Sequence, residues 1–159
     1  MARNSERLYI ARSGASATAT TTVALVAATA KTVVACLGSS TDTLSLVRWS
    51  VSFDGVTATA VPALVEVGII TALGTSTAFT PAQLTGPTLA SSATAGYNHT
   101  VEPTFSRIID ATYVPVTMGV MRDWVPLGEE PVTTISQGFA IRITAPAAVN
   151  CLASILFAE

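Results

Sequence analysis

Apolar and polar residues alternate with a period of two along most of this chain, the spacing that turns one face of an extended strand inward and the other outward. The clearest run is 44–53, where Val47, Trp49, Val51 and Phe53 share one face, Arg48, Ser50 and Ser52 share the other, and Asp54 and Gly55 supply a turn. A second run covers 63–73, with Val65, Val67 and Ile69 opposite Glu66 and Gly68 and with Pro62 at its start. Near the end, Phe139, Ile141 and Ile143 alternate with Ala140, Arg142 and Thr144, Ala145 and Pro146 turn the chain, and 149–157 makes the last strand. These two are expected to pair as a hairpin. Weaker strands are expected at 8–12, 20–28, 32–37, 106–111 and 114–122, where Pro115 marks an edge or a bulge.

Eight or nine strands at spacings of about ten residues, without helical periodicity, predict an all-β antiparallel β-sandwich of jelly-roll or related Greek-key topology. Residues 1–20, rich in Ala, Ser and Thr after Arg12, read as an extended N-terminal arm before a single domain at 21–159. Between Thr80 and Pro103 the alternation gives way to Pro81, Gly86, Pro87, Gly96 and Asn98, so a long loop is expected at about 80–103. Trp49 belongs to the core by its phase. Trp124, between Asp123 and Val125 and beside Arg122, suits an interface anchor better.

Composition changes the picture. The chain has 159 residues, of which 50% are hydrophobic and only 11% charged, against roughly 25% charged in ordinary soluble domains. The outward strand positions are therefore mostly Thr, Ser and Ala, a neutral surface that packs against protein without the cost of desolvating ions. Lys31 is the only lysine, although free β-proteins commonly use lysines to guard sheet edges. Edges covered within an assembly are expected. The formal net charge of −2, with no run of Lys or Arg, argues against a nucleic-acid partner. Lys31 also interrupts the most apolar stretch, 23–37, so no run reaches the roughly 18 apolar residues of a membrane-spanning helix. No secretory h-region follows the basic start, and the chain is expected to be made in the cytoplasm.

Chemistry is sparse. His99 is the only histidine, and Tyr97 and Glu102 lie near it without a recognisable catalytic spacing, so no catalytic residue is assigned. One His and two Cys do not make a zinc tetrahedron, Glu129 and Glu130 lack a calcium-ligand series, and no glycine motif cradles a phosphate; no metal or cofactor is expected. Cys36 and Cys151 sit in apolar strand runs and read as inert buried thiols, a disulfide being the minority alternative. Asp42 and Asp54 fall at strand ends, where their side chains serve turns.

The stretches DWVPLGEEP at 123–131, QGFAIRITAPAAVNC at 137–151 and FAE at 157–159, together with VRWSVSFDG at 47–55, resemble small auxiliary virion proteins of tailed bacteriophages. The resemblance implies a non-enzymatic β-sandwich that decorates and cements a capsid, as a homo-oligomer with a trimer favoured, against the major capsid protein on the virion surface. In that setting Arg3, Arg7 and Arg12 of the arm are expected to lie along the shell, and removal of residues 1–15 should abolish shell binding while leaving the sandwich folded. The alternative is a carbohydrate- or host-receptor-binding module of a phage head or tail, using Trp124, Tyr97 and His99.

Overall fold

Alternating β-branched residues give the chain many strands, each with one apolar face to bury, and two stacked sheets bury them all. The computed structural model describes residues 7–14, 21–55, 61–85, 89–117 and 119–159. Within them lie twelve strands and no helix: β1 (Leu8–Arg12), β2 (Val23–Leu25), β3 (Ala30–Leu37), β4 (Ser45–Phe53), β5 (Ala63–Ala72), β6 (Thr75–Phe79), β7 (Ala82–Thr85), β8 (Thr94–Val101), β9 (Thr104–Val114), β10 (Val120–Trp124), β11 (Gly138–Thr144) and β12 (Val149–Ala158). The first sheet runs β10-β4-β12-β1-β7, with β2 also on β12, and the second runs β6-β8-β3-β11-β5-β9; every pairing is antiparallel. Four pairings, β3 with β11, β4 with β10, β5 with β9 and β6 with β8, are nested like the arms of one long hairpin, the winding of a jelly roll. The β6–β8 pair stays on the β3 edge of the second sheet, while β12, β1 and β7 complete the first.

Both sheets feed one core. Tyr9, Trp49, Ile155 and Phe157 come from the first sheet and Val34, Val65, Val67, Ile69, Phe139 and Ile141 from the second. Tyr9 stacks on Phe157 with ring centroids 5.9 Å apart, and Trp49 is buried as its phase predicted. Cys36 and Cys151 are buried and free, so the pair is not a disulfide.

Several expectations need correction. The segment 80–103 is not a long loop, because β7 and β8 occupy most of its described part. Its strands were hidden by their chemistry: Gly96 must lack a Cβ, which would lie 1.9 Å from Ser76 Oγ, and Asn98 sits at φ +53°, so the alternation is broken although β8 runs on through both residues. Residues 8–12 are not part of an arm but β1, bracketed by β12 and β7 with Tyr9 and Ala11 fully buried. The last two strands do not form a hairpin. β11 lies between β3 and β5 in the second sheet and β12 beside β4 and β1 in the first, so the turn through the buried Ala145 crosses from sheet to sheet. The expected strand at 114–122 breaks at Pro115, which ends β9, and β10 begins at Val120. Finally, Val47 does not share a face with Trp49. The β4–β12 register shifts between Leu156 and Phe157, leaving Val47 as an extra residue turned outward while Leu46 takes its place in the core.

Candidate interaction surface

Paired residues on neighbouring antiparallel strands point to the same side, so the registers of the first sheet define rows across its outer face. Since Tyr9, Trp49, Ile155 and Phe157 point into the core, the residues between them point out. One row is Leu8, Ala158, Ser45 and Val132; the next is Ile10, Leu156, Arg48 and Trp124; the third is Arg12, Ser154, Ser50 and Arg122. A fourth begins at Leu152 and runs through Ser52 to Val120. The outward Val47 packs with Leu156 and Ala158, and the half-buried Leu8 and Ile10 lie against them.

Chemistry divides this face. Val47, Leu156 and Ala158 are buried and Leu8, Ile10 and Leu152 half-buried, so the apolar groups this face exposes are Trp124, Val132 and Val120, each a little over half exposed, and Arg12, Arg48 and Arg122 lie between the first row and the fourth. Three of the seven arginines in a chain of net charge −2 thus share one sheet face, and no row contains a carboxylate. Asp123, although it lies between Arg122 and Trp124, pairs with Trp49 and points to the opposite side. The guanidinium of Arg48 stands 4.9 Å from the centre of the Trp124 ring, yet its Nε is buried and unpartnered. Burial, and secondarily the charge of Arg122, lowers the Arg48 pKa. In the row between Arg12 and Arg122 the two serine hydroxyls bond each other at 2.7 Å. With strands about 4.8 Å apart, those arginines stand roughly 14 Å from one another, a separation that suits several acceptor groups rather than one.

Of the residues singled out in the sequence, only Arg12 and Trp124 lie on this face, three strands apart. Arg3 lies outside the described residues, and Arg7 is exposed, its carbonyl accepting from the Glu159 amide at 3.2 Å. Tyr97 and His99 are on β8 in the other sheet, so no common site joins them to Trp124. Tyr97 is half-buried, packed on the core with its ring 6.0 Å from that of Phe79. His99 is a buried strand residue, not a loop histidine: its Nδ1 lies 3.2 Å from the Thr32 carbonyl, and Nε2 is buried without a partner. Burial lowers its pKa, against the opposing pull of the Thr32 carbonyl, the Glu102 charge and the nearby Leu73 backbone, which lies too far or too poorly aligned to make a regular hydrogen bond. Glu102 holds the same Thr32, accepting from its amide at 3.0 Å and from its hydroxyl. Glu102 and His99 therefore clamp one residue of β3.

Elsewhere the polar groups serve the fold. Glu66 accepts two bonds from Arg142, at 2.9 and 3.1 Å, and Asp54 takes the amide and side chain of Asn150 at 2.9 and 2.7 Å. Hydrogen bonding from Ser92 first, and then from Ser39 and Thr41, both at 2.9 Å, holds the Asp42 carboxyl below the usual range. Burial pushes the thiols of Cys36 and Cys151 up to about 12, far from a reactive thiolate. Among the described residues no group of three His, Cys, Asp or Glu is placed to hold a metal ion. An open pocket of about 630 Å³ at one end of the sandwich is lined by alanines and aliphatic residues with Asp54 and Asn150, which already satisfy each other. Arg48 and Arg122 were missed in the sequence because each looked like the polar half of an ordinary strand; the signal lay in the strand pairing. No protein-family model, curated protein or solved structure matches the chain.

Proposed function

We propose that this chain is a non-enzymatic structural protein of a phage virion, decorating and stabilising the capsid shell, and that the outer face of the first sheet is where it docks on the major capsid protein. The carrying observation is the arrangement of the exposed Trp124 and the three arginines on one sheet face with the exposed Val120 and Val132. Aromatic residues and arginine are enriched where protein interfaces are tightest, and a rigid sheet presents them without a backbone ordering cost. The shell is stabilised by mass action, because a protein that binds only the assembled lattice shifts the equilibrium toward it. Oligomerisation, a trimer in this reading, multiplies modest contacts into high occupancy.

The number of copies per particle tests the reading directly. Mass analysis of purified virions should give a copy number in proportion to the capsid lattice, together with loss of shell heat resistance when the protein is stripped. A handful of copies places the chain in the tail instead. The second reading, a receptor-binding module, now draws on Trp124 alone, which is exposed on the surface. Glycan-array binding abolished by Trp124→Ala would favour it.

A further inference from the structure

We infer that the outer face of the first sheet recognises carboxylates on a folded protein: its partner is an acidic protein surface with apolar residues beside the acids. This rests on the reading that the same face is the docking site, and it names the chemistry of the partner. Charge is the first argument. Arg12, Arg48 and Arg122 share two adjacent rows that contain no carboxylate among the described residues, and no ion pair joins any of the three to an acid there. Arg48 is already partly desolvated, with a buried, unpartnered Nε and a pKa depressed by its surroundings and by Arg122. A carboxylate brought against it would relieve both effects, and planar guanidinium groups accept carboxylates in a two-pronged geometry.

Self-association fits this face poorly. A two-fold axis through the arginine rows would set those of two copies against each other, and like charges brought together in a drying interface oppose binding; an axis elsewhere would still leave the arginines without an acid to meet. A nucleic acid fits poorly as well. Ile10, Leu8, Val132 and Trp124 adjoin the arginines, and a uniformly charged phosphate backbone would leave them facing ions and water. An acidic protein surface with an apolar centre covers both halves.

The test uses the full chain, a soluble random copolymer of glutamate and tyrosine, a DNA duplex at equal charge concentration, and purified shells lacking the protein. Tighter binding to the copolymer than to the duplex is expected, with a loss of about tenfold or more in the Arg12→Ala, Arg122→Ala double variant. Arg107→Ala, an exposed arginine on β9 of the other sheet, should bind as the parent does. Both substituted residues are exposed, and an unchanged melting temperature verifies the fold. Duplex binding as tight as copolymer binding overturns the inference in favour of a general polyanion site. Undiminished copolymer binding by the double variant overturns it outright. Wild-type self-association that vanishes in the double variant assigns the face to a second copy and also overturns it. If the copolymer results hold while the parent ignores the shells, the capsid reading falls and the carboxylate reading stands.

Discussion

Arg48 lies over the indole of Trp124, its guanidinium carbon 4.9 Å from the ring centre, on two strands whose register pairs those residues. The contact is worth roughly 0.5–1 kcal/mol at an exposed position. Against it stands a buried Nε without an acceptor, which costs about 1–3 kcal/mol. Arg48 is therefore a residue that the isolated chain holds at a disadvantage.

Replacing it tests that balance. Arg48→Met keeps the aliphatic stem and removes the unpaired donor, so it should stabilise the isolated protein by about 1 kcal/mol, raising the melting temperature by roughly 2–4 °C. Docking should weaken at the same time, the opposite sign for function that marks a binding residue. A variant that melts lower than the parent contradicts the assignment.

Close backbone approach predicts a contrast between two glycines. A Cβ at Gly96 would meet the Ser76 hydroxyl oxygen at 1.9 Å, whereas a Cβ at Gly138 would meet the carbonyl oxygen of Cys36 at 1.9 Å. Gly96→Ala should lower stability by about 1–3 kcal/mol and recover much of it when combined with Ser76→Gly, because a side chain can be removed. Gly138→Ala should cost more, since the obstacle is backbone in the middle of the second sheet. Denaturant midpoints of the four proteins decide it; equal losses without rescue would contradict the geometry.

How much of this was legible beforehand follows from which signals are local. The run around Trp49 and the inward phase of Val65, Val67 and Ile69 were readable because one buried face against one polar face leaves a period of two in the sequence. Strand β8 was not readable, since Gly96 and the left-handed Asn98 are turn residues by type and strand residues only because β3 and β6 flank them. Strand pairing was invisible too. Phe139–Thr144 and Val149–Ala158 look like a hairpin in sequence, but each is sandwiched between other strands, and sheet membership is decided by those long-range partners. The candidate surface suffered most: Arg12, Arg48 and Arg122 are 36 and 74 positions apart in sequence, and only register sets them side by side.

His99 predicts a pH dependence. Burial holds its folded-state pKa below the ordinary 6.5, so the unfolded chain takes up the proton first. Stability from this residue is complete above that value and declines as the pH falls through it. Urea midpoints should drop between about pH 7.5 and pH 5, and His99→Gln should flatten the profile in that interval. Asp42 and Asp54, with folded pKa values below 3.8, lose their contribution only in more acidic solution, so the windows separate. A profile equally steep in the variant would remove His99 from the account.

Truncation distinguishes an arm from a strand. Tyr9 and Ala11 are fully buried, Tyr9 stacks on Phe157, and β1 pairs with all of Leu8–Arg12 against β12. Loss of a buried aromatic alone costs about 3–5 kcal/mol, comparable to the lower end of whole-domain stability, and stripping β1 also leaves five residues of β12 unpaired on that side. Deleting residues 1–12 should abolish cooperative unfolding or drive aggregation through the bared edge of β12. Arg12→Ala should unfold at nearly the parent temperature while docking more weakly, because its side chain is exposed. Calorimetry of the two proteins side by side measures this, and a truncated chain with the parent's transition would return residues 8–12 to the role of a dispensable arm.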